Sequence, residues 1–294
     1  MKKIHFFKAK CRLGLQNKPI GQKDFNYGVE DAPDFILAED FLWQLASYRI
    51  STFVFPKPED VSQDRFIPEL VRQYGDFRRL IERNLGPGET QVVLGGDHSV
   101  TFGAITALLA RVPNANDIGY IQIDSHPDMN LYSESATKNW HGMYLRPIVD
   151  SFDIPEVEAL VPKKLAAKNT WFIGNLVMDP GEEKFFKKQN IRNIDRLHLL
   201  RDRISFEREL KEFVANFKHL HVSFDVDGLD KTVVSATGIP AEDGLRLDDV
   251  WPLFDILFKH PNLSFDLVEV NPCKPGAAAA VKLAQDILLM LQNS

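Results

Sequence analysis

The chain has 294 residues, of which 44% are hydrophobic and 26% charged, and its formal net charge is -6 at pH 7. This composition is typical of a soluble globular protein, and the sequence contains no block of basic residues of the kind that binds nucleic acid or an anionic membrane. No apolar run approaches the roughly 18 residues that a membrane helix needs. Cys11 and Cys273, the only cysteines, match no zinc spacing. We therefore expect a cytoplasmic protein with small-molecule partners, no nucleic acid and no membrane.

Short apolar runs alternate with longer amphipathic segments along the chain. In chain order, the predicted strands are 4–7, 51–55, 91–94, 119–123, 170–173, 219–224 and 264–270. The predicted helices are 36–46, 68–84, 102–110, 206–217, 248–258 and 277–291, with Asp248 as the expected N-cap of the fifth. The alternation predicts an α/β fold of three layers, α/β/α, around a central, mostly parallel sheet. Because no repeat or linker interrupts the pattern, we predict a single domain over residues 1–294.

Four predicted strands run into polar residues at their carboxyl ends. These residues are His98 after the third strand, Asp124, His126 and Asp128 after the fourth, Asp225 and Asp227 after the sixth, and Glu269 at the end of the seventh. Ligands of open α/β sheets bind beyond the carboxyl ends of the strands. We therefore expect these side chains to converge on one place.

The convergence predicts a metal site. Alternate residues of an extended segment point the same way, so each Asp-x-His-x-Asp or Asp-x-Asp segment presents its ligands on one face. Two like charges about 4 Å apart repel by roughly 4 kcal/mol at an effective dielectric of 20, so the carboxylates must either protonate or be neutralised by cations. Either segment alone could be a solvated strand end, and a lone histidine could be a hydrogen-bonded core residue. Six ligands exceed the needs of one tetrahedral zinc, and their oxygen-rich mixture leans toward manganese, although the affinity order favours zinc.

Several motifs resemble those of the arginase, or ureohydrolase, family, and arginase in particular. They are residues 94–99 (LGGDHS), 124–130 (DSHPDMN), 139–142 (NWHG), 223–230 (SFDVDGLD), 236–240 (ATGIP) and 269–272 (EVNP). Residues 28–33 (GVEDAP) are similar to the N-terminal loop on the substrate side. The resemblance runs from near residue 28 to about residue 290. It implies an arginase-like fold, hydrolysis of a guanidino compound, and a homo-oligomer, either a trimer or a hexamer.

The resemblance also implies two Mn²⁺ ions per chain and assigns their ligands. The first ion would be held by His98, Asp124, Asp128 and Asp225, and the second by Asp124, His126, Asp225 and Asp227. A hydroxide bridging the two ions would attack the guanidinium carbon. The implied catalytic residues are Asp128, His141, which would deliver a proton to the leaving amine, and Glu269, which would pair with the guanidinium.

The substrate must be inferred from the outer pocket, because arginases, agmatinases, guanidinobutyrases and formimidoylglutamases share the metal ligands. The implied substrate-binding residues are Asn130, Thr137, Asn139, Asp179, Glu182, Thr237 and Glu269. Neutral side chains of Asn130, Thr137 and Asn139 fall where arginases bind an α-carboxylate, and Asp179 falls where they bind an α-amino group, with Glu182 beside it. Asp179 could instead be an ordinary helix N-cap before Pro180. We expect L-arginine to be converted to L-ornithine and urea.

Three departures from the family pattern keep two alternatives open. Residues 175–178 (NLVM) stand where an Arg-Asp pair usually follows the glycine, Lys231 replaces a proline, and Glu242 and Asp243 replace small or apolar residues. The chain could therefore be another ureohydrolase (an agmatinase, guanidinobutyrase or formimidoylglutamase). It could also be a metal-bound, non-catalytic scaffold or regulatory subunit.

Overall fold

In the computed structural model, which describes residues 1–16 and 26–294, parallel strands form a central sheet. The strands are β1 (Lys3–Lys10), β2 (Tyr48–Val54), β3 (Glu89–Gly95), β4 (Ile118–Ile123), β5 (Thr170–Ile173), β6 (Arg192–Ile194), β7 (His219–Asp225) and β8 (Leu263–Val268). Their order across the eight-stranded sheet is β2-β1-β3-β8-β7-β4-β5-β6, and all neighbouring pairs are parallel. The sheet draws strands from most of the chain, which supports the proposal of one domain.

The α-helices lie mainly between the strands. They are α1 (Ala32–Ile36), α2 (Glu39–Leu42), α3 (Phe66–Asn84), α4 (Val100–Arg111), α5 (Arg146–Val149), α6 (Pro155–Glu158), α7 (Pro180–Gln189), α8 (Arg196–Arg201), α9 (Arg203–Ala215), α10 (Leu247–Leu257) and α11 (Ala277–Asn293). Within the described ranges, no helix is long and apolar enough to cross a membrane.

The helices cover both faces of the sheet, because side chains alternate between the faces along each strand. On β7, Leu220, Val222 and Phe224 pack with α1, α2 and α8 to α11 in one buried cluster. A second cluster lies on the opposite face, where α3 to α7 pack against residues such as Phe172 of β5. The predicted α/β/α layering with a parallel sheet is therefore confirmed.

Two local predictions were wrong, and one strand was not predicted. The helix expected over 36–46 is two short helices, α1 and α2, because Ala38 is extended while Leu37 and Phe41 are both buried in the core. The N-cap of α10 is Arg246 rather than Asp248, since the Asp249 carboxylate accepts the Arg246 N–H at 2.9 Å. Strand β6 was missed because it has only three residues, none of them buried.

Candidate metal centre

The predicted ligands lie at one edge of the sheet. Strands β3, β8, β7 and β4 are neighbours in that order, and all of them end at the same edge because they are parallel. His98 follows β3, Asp124 follows β4, and Asp225 is the last residue of β7. The convergence predicted from the strand ends is present in the structure.

A close backbone approach brings the ends of β4 and β7 together. A Cβ atom on Gly228 would lie 2.8 Å from the Asp124 Cα atom, so only glycine fits there. The short 3-10 turn Val226–Gly228 can therefore pack against the segment that follows β4. Across this contact, the Ser125 hydroxyl donates to Asp227 Oδ1 at 2.8 Å.

The ligands form two groups that share Asp124. One group contains His98, Asp124 and Asp225, and the other contains Asp124, His126 and Asp227; within each, one atom per residue lies within 4.8 Å of the others. Asp128 joins the first group, since its Oδ2 lies 2.9 Å from His98 Nδ1. The same nitrogen is 2.9 Å from Asp124 Oδ2 and 3.2 Å from Asp225 Oδ2. The arrangement can hold two cations with Asp124 between them.

The hydrogen bonds at Nε2 of His98 orient the ring so that Nδ1 faces the ligand carboxylates. Its Nε2 lies 2.8 Å from the Ser223 hydroxyl and 2.9 Å from the Tyr144 hydroxyl. These hydroxyls can donate onward, to Asp266 Oδ1 at 2.6 Å and to Gln122 Oε1 at 3.0 Å, so both can accept from an Nε2–H. Nδ1 is buried and faces the carboxylate oxygens of Asp124, Asp128 and Asp225. A histidine in this tautomer is prepared to bind a cation.

The charges of the cluster perturb one another strongly. Burial and the neighbouring carboxylates raise the pKa of Asp225 well above its usual value, and burial with Asp124 raises the pKa of Asp128. Burial would lower the pKa of His98, but Asp124, Asp128 and Asp225 raise it well above its usual value. Protons are therefore held in the cluster in the absence of cations, and cations must displace them to bind.

Glu269 and His141 lie beside the ligands. Glu269 follows β8 with a φ of 64°, a conformation that is rare for a side chain of this size, and its Oε1 accepts the backbone N–H of His98 at 2.9 Å. The Nδ1 atom of His141, which lies in the 3-10 turn Trp140–Gly142, is 3.9 Å from Glu269 Oε1. The His141 side chain is partly exposed, so it can reach both the site and solvent.

A cavity of about 540 Å³ opens above the cluster, and most of the predicted substrate residues line it. They are Asn130, Thr137, Asn139, Asp179, Glu182 and Glu269. Thr237 is fully buried behind the wall, and the neighbouring Gly238 lines the cavity in its place. The residues predicted from the sequence therefore surround one space, with Thr237 one residue removed from it.

The outer wall of this cavity is held by hydrogen bonds. Asn130 Nδ2 donates to Asp179 Oδ2 at 2.9 Å, and the Thr137 hydroxyl accepts the Asn139 N–H at 3.3 Å. Asp179 is the N-cap of α7 and forms a capping box with Glu182, so the helix-cap alternative holds in the structure. Capping leaves the Asp179 side chain on the cavity wall, where it can also bind a ligand.

Glu182 is a buried carboxylate within the wall. Its Oε1 accepts the Met129 N–H at 2.8 Å, and its Oε2 accepts the Asp179 N–H at 2.9 Å. Burial, with the charges of Asp128 and Asp179, raises the pKa of Glu182 to about 7, although the two N–H donors oppose the shift. This group therefore gains its negative charge near neutral pH.

The departures from the family pattern have local partners. With its amide oriented so that both ends are satisfied, Asn175 donates to the backbone oxygens of Asp124 at 3.0 Å and His126 at 3.2 Å. It therefore fixes the backbone of two ligands without an ion pair. Lys231 and Glu242 form an ion pair with each other, so the added negative charge at Glu242 has a cation beside it. The sequence did not predict these contacts. Asn175 is far from Asp124 and His126 in the chain, and Lys231 and Glu242 both depart from the family pattern.

The sequence profile of the Arginase family matches residues 21–291. The chain is 30% identical to an arginase of Entamoeba histolytica, over 86% of this chain and 87% of that protein, and 31% identical to Arginase-1 of Homo sapiens, over 90% and 86%. In structure it is similar to Entamoeba histolytica arginase in complex with L-ornithine, with a TM-score of 0.84 and 24% identity over 99% of this chain and 98% of that one.

Replacing Asp227 with alanine is expected to remove one bound ion. Asp227 belongs only to the group with His126, so the group with His98 keeps its ligands. We expect the metal content of Asp227→Ala to fall from two ions per chain to one. Activity should fall by about 100-fold or more, because replacing a residue that only orients a metal ligand already costs about 10–100-fold. Mass spectrometry of metals after gel filtration measures the content. Asp286→Ala, on the exposed face of α11, is the control; two retained ions in Asp227→Ala would contradict the assignment.

Proposed function

This chain belongs to the arginase family, and on that basis we propose that it hydrolyses the guanidinium group of L-arginine to give L-ornithine and urea. One observation carries the choice of substrate. The cavity above the metal ligands and Glu269 has a polar outer wall with both acidic and neutral side chains. Such a wall can bind both charged groups of an α-amino acid, and the inner end can bind a guanidinium.

We propose that two manganese ions bind per chain, in the sets that the resemblance implies: His98, Asp124, Asp128 and Asp225 for the first, and Asp124, His126, Asp225 and Asp227 for the second. The support is the oxygen-rich donor set, the shared Asp124, and the buried Nδ1 atom of His98, which faces three of the carboxylates. When bound, the ions would neutralise the buried carboxylates and make water a stronger nucleophile at neutral pH. Ser223, Tyr144 and Asn175 would keep the ligands oriented.

Glu269 is the proposed acceptor for the guanidinium. A planar cation with paired N–H donors binds a carboxylate through two parallel hydrogen bonds. The Glu269 side chain is buried, and the backbone N–H of His98 fixes one of its oxygens. It therefore presents a fixed carboxylate to a substrate at the inner end of the cavity.

The outer wall would bind the α-amino acid end. Asp179 and Glu182 offer negative charge to an α-ammonium group, and the Thr137 hydroxyl, which accepts one hydrogen bond from Asn139, can still donate to an α-carboxylate. Agmatine has no carboxylate, so it cannot accept a hydrogen bond from the Thr137 hydroxyl. This difference favours arginine over agmatine as the substrate.

The departures in residues 175–178 and 231 do not favour a non-catalytic role. Asn175 binds the backbone of the ligand segment, and Lys231 is paired with Glu242, so neither change leaves a gap in the site. We also propose, from family membership, that the chain forms a homo-oligomer, a trimer or a hexamer. The cytoplasm is the proposed compartment, and it agrees with Cys11 and Cys273 both being free thiols.

The substrate assignment is tested by urea release from a panel of guanidino compounds with manganese supplied. We expect kcat/KM for L-arginine to exceed that for agmatine and guanidinobutyrate by about 100-fold or more. Agmatine lacks the α-carboxylate and guanidinobutyrate lacks the α-amino group, so each compound leaves polar groups of the outer wall unpaired. Formimidoylglutamate hydrolysis is measured by ammonia or formamide release. A higher kcat/KM for any of the other compounds would replace arginine as the substrate within the same family.

His141 is expected to act in proton transfer without holding metal. Its Nδ1 atom lies 3.9 Å from Glu269, and His141 belongs to neither ligand group. His141→Ala should keep two ions per chain while kcat for L-arginine falls by about 100-fold, the usual contribution of a general acid. His198→Ala, at an exposed histidine of α8, serves as the control. Loss of an ion from His141→Ala would show that this histidine is a ligand instead.

Glu182 predicts a pH dependence of arginine binding. Because its pKa is raised to about 7, the negative charge at the outer wall grows as the pH rises through neutrality. KM for L-arginine should therefore be lower in the wild type than in Glu182→Gln at about pH 8, by roughly tenfold, and the two should approach each other at about pH 6. Steady-state kinetics at saturating manganese measure both. A ratio of the two KM values that does not change with pH would contradict this role.

A further inference from the structure

We propose that Asn26 is a positioning residue of the guanidinium site, because its side-chain amide fixes the carboxylate of Glu269. The proposal rests on the function proposed above and adds a residue that lies outside the motifs of the family resemblance. Asn26 is 243 positions away from Glu269 in the sequence and lines the same cavity.

The two oxygens of Glu269 are held by two different donors. Asn26 Nδ2 donates to Oε2 at 2.8 Å, and the backbone N–H of His98 donates to Oε1 at 2.9 Å. Asn26 and Glu269 are each only 5% exposed, so water has little access to replace these bonds. With one donor on each oxygen, the plane of the carboxylate cannot rotate about its last bond. That plane sets the direction from which a flat guanidinium can pair with it.

Asn26 is itself fixed from the other side. Asn271 Nδ2 donates to Asn26 Oδ1 at 2.6 Å and to the Tyr27 carbonyl at 3.0 Å, and the Asn271 N–H donates to the Ala236 carbonyl at 2.8 Å. The Asn26 oxygen therefore faces Asn271, and its nitrogen faces Glu269. Its φ of 49° lies in the left-handed region, which asparagine tolerates better than most residues.

Gly238 packs against this contact. A Cβ atom there would lie 2.9 Å from Asn26 Nδ2 and 3.4 Å from Glu269 Oε2. Gly238 is not among the glycines with a positive φ, so alanine is compatible with its backbone. Gly238→Ala would therefore press on the Asn26 amide without changing Asn26 itself.

The position of Asn26 predicts an effect on one end of the substrate only. It contacts the carboxylate that would receive the guanidinium, whereas Asp179 and Thr137 are the residues proposed to bind the α-amino acid end. Losing the Asn26 amide should weaken binding of a guanidinium. Binding of an amino acid that lacks one should be unchanged.

Two substitutions at Asn26 separate the amide from the backbone. Asn26→Gly keeps the left-handed φ and deletes the amide, and Asn26→Asp keeps the shape but replaces the N–H donor with an acceptor. With two manganese ions bound, KM for L-arginine should rise about 10–100-fold in both, the range for a hydrogen bond to a charged group, and kcat should change less than KM. The inhibition constant of L-norvaline, an α-amino acid without a guanidinium, should stay within about twofold of the wild type.

Two further variants complete the experiment. Gly238→Ala should raise KM for L-arginine in the same direction as the Asn26 variants. Asn262→Gly, on an exposed loop where the side chain donates to the Lys218 carbonyl, should leave both constants unchanged. Metal content and melting temperature of every variant show that it is folded and loaded.

The proposal is overturned if both Asn26 variants, loaded with metal, keep the wild-type KM for L-arginine. It is also overturned if inhibition by L-norvaline weakens as much as arginine binding does, since Asn26 would then support the whole pocket. A wild-type protein that hydrolyses no L-arginine overturns the proposed function instead. In that case, calorimetry with guanidinium ion in the same variants tests the role of Asn26, with the same loss of affinity expected.

Discussion

The structure depends on one electrostatic constraint: four buried carboxylates lie together with one buried and one partly exposed imidazole at the carboxyl edge of the sheet. Each carboxylate raises the free energy of its neighbours in the ionised form, and burial adds to that penalty. In the part of the chain that the structure describes, the ion pairs of these carboxylates are with His98 and His126 and not with lysine or arginine. Protons or divalent cations must therefore offset the charge, and the oxygen-rich geometry suits cations.

The strands beneath the site carry polar side chains, which form a hydrogen-bond network that orients the ligand His98. Buried parallel strands are usually apolar on both faces, but β7 and β8 place His221, Ser223 and Asp266 on the face that lies under His98. Ser223 donates to Asp266 Oδ1, and His221 Nε2 lies 2.7 Å from the other oxygen of Asp266. This buried network satisfies its own polar groups and orients His98. The apolar residues on the opposite face, such as Phe224, provide the packing that holds the strands in place.

Much of this arrangement could be predicted from the sequence, because it follows from local patterns. A strand of four or more apolar residues followed by alternating Asp and His places ligands such as Asp124 and His126 at a sheet edge, and several such segments must meet there. Contacts between distant segments could not be predicted. The bond between Asn26 and Glu269 and the pairing of Lys231 with Glu242 depend on how loops approach each other, and no periodicity encodes that approach. The break between α1 and α2 is similar, since core packing overrides the helical pattern there.

The central claim is that cations replace protons in this cluster, and calorimetric titration of the metal-free protein with manganese tests it most directly. Measured in buffers of different ionisation enthalpy, binding of two ions per chain should release protons, and the affinity should fall as the pH is lowered from about 8 to about 6. The sign follows from the raised pKa values of His98, His126, Asp128, Asp225 and Asp227, which retain protons that the ions must displace. Binding without proton release, or with an affinity independent of pH, would contradict the account.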